Sequence, residues 1–223
     1  MPSACRQVSA FVQVSLDGYF CRPDGDMSFA HKELDDTEWQ AYVGRNASGG
    51  GMLVFGRETY DMMAAWWLTP AAAAAMPEVA ERMNALPKIV FSRTLASAEW
   101  PITELIRADP VETIGRLKGE PGPDMTLLGS GSIVTQLADA GLVDSFQVVI
   151  NPVALGAGRS YLAGLREPLH LSLEEKVAFG NGSAWGRSGR PSGSATLRKS
   201  PSVRTCASAW PNATEEARPS VAS

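Results

Sequence analysis

Short apolar runs recur along this chain, and each one stops at a glycine or a hydroxyl-bearing turn. Gln7 to Ser15 mixes apolar and polar positions in imperfect alternation and reads as an N-terminal strand, central in a sheet. Met52-Leu53-Val54-Phe55, Lys88-Ile89-Val90-Phe91 and Thr126-Leu127-Leu128 are continuous runs, the pattern of strands buried on both faces. Between them lie stretches of helical spacing. Leu34 to Asn46 puts Trp39, Tyr42 and Val43 on one face, with Asp35 or Asp36 in the first turn. A helical turn starts at Tyr60, and Trp66-Trp67 with Ala71–Ala75 reads as a linker and helix. Helical spacing returns over Pro77 to Leu86, over Pro110 to Leu117, and from Ile133 to near Gly141. Asp144 to Ile150 and Leu169 to Phe179 are late strands, and Gly180-Asn181-Gly182 is a hairpin-type turn.

The ends of these strands carry the candidate chemistry. Thr126-Leu127-Leu128 feeds Gly129-Ser130-Gly131, and Ser132 can cap a helix opening at Ile133. A strand, a glycine turn and a helix N-terminus together present free N–H groups, a seat for phosphate or pyrophosphate. The same residues also suit a tight connection that needs two glycines for its geometry. Gly56-Arg57-Glu58-Thr59 is a second such junction, with a guanidinium suited to bidentate phosphate contact. Ser92-Arg93-Thr94 is a third. In parallel α/β sheets the ligand crevice lies at the carboxyl ends of the strands, so three endings of this kind favour an anionic ligand. Asp17-Gly18, after the first strand, is either ordinary turn chemistry or a carboxylate at the lip of a cleft.

Composition narrows the classes. With 223 residues, 44% of them hydrophobic, the chain can bury one substantial core. No run approaches the roughly 20 apolar residues of a membrane helix, and the first residues lack a signal-peptide pattern. A cytoplasmic protein without a membrane partner is expected. Residues 1–183 hold 14 Lys/Arg against 22 Asp/Glu, so nucleic acid is not an expected partner either. Cys5, Cys21 and Cys206 are widely spaced and only His31 and His170 are present, so no metal site is expected. His170 alternates with Leu169 and Leu171 and reads as solvent-facing. A Rossmann fingerprint fails because Val134 stands where the third glycine belongs, and a Walker loop fails for want of Gly-Lys-Ser/Thr.

Five short motifs occur in order: Ser15-Leu16-Asp17-Gly18, Val54-Phe55-Gly56-Arg57 with Thr59-Tyr60, Lys88 with Val90 and Ser92-Arg93-Thr94, Leu128-Gly129-Ser130-Gly131-Ser132, and Asn151-Pro152-Val153 with Leu155-Gly156 and Gly158. Together, over roughly residues 6–182, they resemble the riboflavin-biosynthesis reductase domain, the C-terminal half of a bifunctional deaminase–reductase in the dihydrofolate reductase-like superfamily. The resemblance implies a three-layer α/β fold: a mostly parallel central sheet, helices on both faces and antiparallel C-terminal strands. It implies an NADPH-dependent reductase acting on a small heterocyclic molecule, pyrimidine- or pteridine-like, such as the aminouracil intermediate of riboflavin synthesis. By the same resemblance, Gly56, Arg57 and Thr59 with Gly129, Ser130, Gly131 and Ser132 hold the pyrophosphate and its flanks. Ser92, Arg93 and Thr94 hold the ribose 2′-phosphate. Asp17 borders nicotinamide and substrate, as the candidate for orienting the substrate or relaying a proton. A homodimer is the expected assembly.

One departure stands out. Where the family places a final hydrophobic strand, this chain has Ser183-Ala184-Trp185-Gly186-Arg187-Ser188-Gly189-Arg190, which shows no strand pattern. The expectation is a reductase domain over 1–182, its last strand missing or replaced, and a disordered Ser/Arg/Pro/Ala-rich tail over 183–223. Such a protein could alternatively be an NADP(H)-binding module without turnover, or a poorly functional member altered at its C-terminus.

Overall fold

The apolar runs become parallel strands because each can be covered on both sides. The computed structural model describes residues 5–32, 36–48 and 51–191. Its eight-stranded sheet has the order β5-β4-β3-β6-β1-β7-β10-β9. The strands are β1 (Val8–Ser15), β3 (Met52–Gly56), β4 (Lys88–Phe91), β5 (Thr103–Ile106), β6 (Met125–Leu128), β7 (Ser145–Asn151), β9 (Ser172–Ala178) and β10 (Ala184–Gly189). From β5 to β7 every neighbouring pair is parallel, whereas β10 runs antiparallel to both β7 and β9. A separate ribbon pairs β2 (Tyr19–Cys21) with β8 (Arg159–Ser160). This is the expected mixed α/β architecture.

Alternate residues of the strands feed different cores. Val8, Ala10, Val54, Ile89, Met125 and Leu127 pack with Ile114 of α5 (Pro110–Lys118) and with Ile133, Val134 and Leu137 of α6 (Gly131–Asp139). Leu53, Phe55 and Val90 face the other way, toward Tyr60 of α2 (Arg57–Trp67), Val79 and Met83 of α4 (Pro77–Ala85), and Trp100. A short helix, α3 (Pro70–Ala75), links α2 to α4 and is capped by the Thr69 hydroxyl. A third cluster joins Trp39 and Tyr42 of α1 (Thr37–Ser48) to Val149, Phe179 and Trp185. No helix among the described residues is long and apolar enough to cross a membrane.

Three local expectations are corrected, and one strand was not expected. The final strand is present: β10 lies inside the sheet and Trp185 is buried against Tyr42, with ring centroids 5.7 Å apart. Residues 184–189 carry little intrinsic strand preference, but β7 and β9 offer a ladder on each side, and backbone pairing outweighs propensity. The fold therefore does not stop at residue 182; the rest of the expected tail, from residue 192, lies outside the described residues. The helix α6 opens at Gly131 instead of Ile133, so Ser130 and not Ser132 is its N-cap. Strand β5 had no clear sequence signature, being a short edge strand containing Glu104. Helix α1 starts at Thr37, with Leu34 and Asp35 outside the described residues.

Candidate cofactor and substrate cleft

The carboxyl ends of β4, β3, β6 and β1 lie side by side, so the three sequence-predicted junctions share one rim of the sheet. Side-chain hydrogen bonds tie them together. The Gly56 N–H donates to Ser130 Oγ at 2.7 Å, and Ser130 Oγ donates to Thr59 Oγ1 at 3.1 Å. These two bonds join the first turn of α2 to the turn before α6. The Arg57 guanidinium donates to Thr94 Oγ1 at 2.6 Å and lies 3.4 Å from Asp61, which ties α2 to the loop after β4.

The β6–α6 turn is strained and closely packed. Gly129 and Ser130 both have φ near +57°, and a left-handed conformation at a non-glycine residue costs about 1–2 kcal/mol. The two hydrogen bonds to the Ser130 hydroxyl offset that cost. A Cβ on Gly129 would sit 3.2 Å from Thr59 Oγ1, and one on Gly56 would sit 3.1 Å from both Ser130 Oγ and Ile133 Cδ1. A side chain at either position would press on these neighbours, and at Gly129 it would also meet a positive φ. The Ser130 carbonyl accepts from the N–H groups of Ile133 and Val134. Gly131 and Ser132 open α6, and the first N–H groups of a helix lack intrahelical partners, a place where an anion is favoured. This donor set fits a pyrophosphate.

At the β4 end, Ser92 Oγ accepts from the N–H groups of Thr94 and Leu95, which curls the loop and leaves Arg93 and Thr94 exposed. Arg107, immediately after β5, holds that curl by donating to the carbonyls of Arg93, Leu95 and Ala96. Sequence reasoning missed Arg107, although it repeats the pattern of an arginine at a strand end. Recognising β5 would have revealed it. Arg57, Arg93 and Arg107 together give this corner a cationic character suited to a phosphate monoester.

Asp17 lies at the other end of the rim and does not contact the three junctions. Its carboxylate accepts from Ser15 Oγ at 2.6 Å and from the N–H groups of Leu155 and Gly156 at 3.1 and 2.7 Å. The Ser15 hydroxyl, followed by those backbone donors, lowers its pKa to about 2. At neutral pH it is an acceptor-only anion that clamps the loop after β7 onto the end of β1. At the end of β7, where Asn151 pairs with Ser15, the Lys32 ammonium donates to Asn151 Oδ1 at 2.5 Å and Ser183 Oγ at 2.7 Å. Burial lowers the Lys32 pKa, opposed by nearby Asp36. Asp36 itself accepts from the Trp39 N–H and from Asn181, so it is committed to starting α1. Lys32 was not identified from the sequence, and Asn151 entered only as part of the Asn151-Pro152-Val153 motif, because no local pattern links positions 119 residues apart.

The ribbon of β2 and β8 lies against this rim. A Cβ added to Gly131 would sit 3.5 Å from the Phe20 ring, and Arg159 pairs with Glu58 of α2 at 2.8 Å. His170 is exposed and precedes β9.

Comparison with known proteins follows the same outline. Residues 6–184 match the RibD C-terminal domain. The Bacillus subtilis (strain 168) protein YyaP, which is uncharacterized, is 24% identical over 179 residues, covering 79% of this chain and 91% of YyaP. A crystal structure from Shewanella sp. PV-4, of a protein whose name assigns it to riboflavin biosynthesis, aligns with a TM-score of 0.64 at 20% identity, covering 83% of this chain and 99% of that one. A Thermotoga maritima diaminohydroxyphosphoribosylaminopyrimidine deaminase/5-amino-6-(5-phosphoribosylamino)uracil reductase aligns with a TM-score of 0.59 at 14% identity, covering 84% of this chain and 57% of that one. A pyrimidine reductase-like protein of Corynebacterium diphtheriae aligns with a TM-score of 0.53 at 14% identity, covering 82% and 91%. At these identities the structural matches bear on the fold.

Proposed function

The chain belongs to the RibD C-terminal domain family, and from that premise we propose that it is an NADPH-dependent reductase of a small pyrimidine- or pteridine-like heterocycle. The names of the Thermotoga and Corynebacterium proteins support that substrate class and make 5-amino-6-(5-phosphoribosylamino)uracil the first compound to try. One observation carries the cofactor reading: three anion-suited junctions end adjacent strands and are hydrogen-bonded to one another through Thr94, Arg57, Gly56, Thr59 and Ser130. From β4 to β1 are three strand spacings, about 14 Å in all, a span suited to an extended dinucleotide.

Each residue then has a task. Ser92, Arg93 and Thr94, with Arg57 above them, take the 2′-phosphate. Gly56, Thr59, Gly129, Ser130, Gly131 and Ser132 shape and line the pyrophosphate seat. NADPH, when bound, supplies the hydride. The protein's part is to align donor and acceptor at the β1 end. Asp17 is assigned a positioning role there, since a carboxyl with a pKa of about 2 has no proton to give at neutral pH.

Titration of NADPH and NADH by calorimetry tests the cofactor assignment. Arg93→Ala should weaken NADPH by about tenfold or more, the worth of a charge-assisted phosphate contact, and leave NADH nearly unchanged. Equal losses would show that the 2′-phosphate lies elsewhere. Oxidation of NADPH in the presence of a pyrimidine and pteridine panel tests turnover, and binding without oxidation of any member would leave a binding module in place of an enzyme.

A further inference from the structure

Arg159 is a cation that the cofactor reading does not use, and its surroundings are specific. It belongs to the β2–β8 ribbon, paired with Cys21. Gly158 allows the two strands to close up: a Cβ there would lie 2.3 Å from the Cys21 carbonyl oxygen and 2.9 Å from Tyr19 Cβ. Phe20, on the same ribbon, lies against the first residue of α6 at Gly131. From this platform the Arg159 guanidinium reaches Glu58, in the first turn of α2, at 2.8 Å. It therefore meets the first turn of α2 one residue before Thr59, which the Ser130 hydroxyl joins to the start of α6.

Glu58 has an awkward position for a protein that binds an anion there. A carboxylate in the first turn suits the helix, yet it repels a phosphate seated one residue away at Thr59. Glu58 is 85% exposed and Arg159 48% exposed, so water competes for both partners and the pair is readily exchanged. The ribbon also leads to the substrate end. Its first strand begins two residues after Asp17, and Asp17 accepts from Leu155 and Gly156, a few residues before Arg159.

We infer that Arg159 is a phosphate ligand held in waiting by Glu58: when the cofactor's pyrophosphate arrives, the guanidinium turns from the carboxylate to the phosphate oxygens and fastens the ribbon over the cleft. The inference rests on the NADPH reading above. A surface tie and a ligand in waiting differ in the sign of one substitution. If the pair only fastens the ribbon, breaking it from either side has the same effect. If Glu58 competes with the phosphate for Arg159, removing Glu58 helps binding and removing Arg159 harms it.

NADPH affinity of the full chain is measured by calorimetry for the wild type, Arg159→Ala, Arg159→Lys, Glu58→Gln and Arg93→Ala, with ligand-free melting curves confirming that each variant folds. The expected result is a roughly tenfold loss for Arg159→Ala and a smaller loss for Arg159→Lys, which keeps charge but not the fork. Glu58→Gln should gain severalfold. Shifts of the same sign at 58 and 159, or no shift at either, overturn the inference. If Arg93→Ala still weakens NADPH in that case, the cofactor reading survives alone. A wild type that binds no NADPH overturns both.

Discussion

The two ends of the sheet achieve burial in opposite ways. In the parallel part, β3, β4 and β6 are short apolar runs covered on both faces, and Val54, Val90 and Leu127 are completely buried. In the antiparallel part, β9 is exposed along nearly its whole length, and β10 contributes Trp185 as its one large buried side chain. The parallel strands are held by what lies above and below them. The antiparallel ones are held by their ladders and by one aromatic cluster, Trp39, Tyr42, Phe179 and Trp185, whose neighbouring rings lie 5.3 to 5.7 Å apart. The candidate cofactor rim belongs to the first kind of structure, and Lys32, Asn151 and Ser183 at the proposed substrate end belong to the second. Stability of the two ends should therefore be separable.

Removing the aromatic anchor is the most severe test. Trp185→Ala should cost about 3–5 kcal/mol in denaturant unfolding. Hydrogen exchange should quicken across β7, β9 and β10 before it does so in β3, β4 and β6. Uniform loss of protection would mean that the sheet unfolds as one unit and the contrast has no energetic content.

The matching test at the parallel end is Lys88, almost fully buried, whose ammonium donates to the carbonyls of Asn84, Leu86 and Pro101 and sits 4.7 Å from the Trp100 ring centroid. Lys88→Met should cost about 2 kcal/mol at pH 7 by leaving carbonyls unpaired. Burial lowers the Lys88 pKa from 10.5 to about 8. Between those values the unfolded chain binds more protons than the folded one, so wild-type stability gains as pH rises through the window. The deficit of Lys88→Met should widen from pH 8 to 10.5, by at most about 3 kcal/mol. A deficit that narrows over this range would refute the assignment.

A smaller effect tests the rim itself. Ser130→Ala keeps the left-handed strain and loses the bonds to Gly56 and Thr59, for about 1–2 kcal/mol. Ser130→Gly loses the same bonds but relieves the strain, so it should melt above the alanine variant. The reverse order would show that the left-handed backbone at residue 130 carries no appreciable strain. Asp17→Asn should have the mildest effect, and a pH-dependent one. Its folded pKa of about 2 lies below the ordinary 3.8, so the carboxylate stabilises the fold above about pH 4 and loses this contribution as pH falls toward 2. Wild type and variant should converge at the acid end, and a gap that persists there would point to a different role for Asp17.

Much of the rim was legible beforehand because its chemistry is local. A strand that ends in Gly-Arg, Ser-Arg-Thr or Gly-Ser-Gly declares both its geometry and its preference for negative charge within four residues. Arg159 and Glu58, Lys32 and Asn151, and Asp17 and Leu155 are partners separated by 101, 119 and 138 residues, and no sequence spacing brings them together. The same limit explains β10. Read alone, Ala184-Trp185-Gly186-Arg187-Ser188-Gly189 has two glycines and no apolar alternation; placed between β7 and β9, its backbone has a partner on each side.

The amino-acid sequence by itself determined the positions of the buried strands, the helices between them and the anion-suited turns, since each depends on side-chain pattern and backbone freedom over a few residues. Tertiary structure alone decided that a weak segment becomes an interior strand, that Asp17 clamps the loop after β7, and that Arg159 meets Glu58. These outcomes depend on hydrogen bonds and burial supplied by distant parts of the chain, and such contributions exist only once the sheet has assembled.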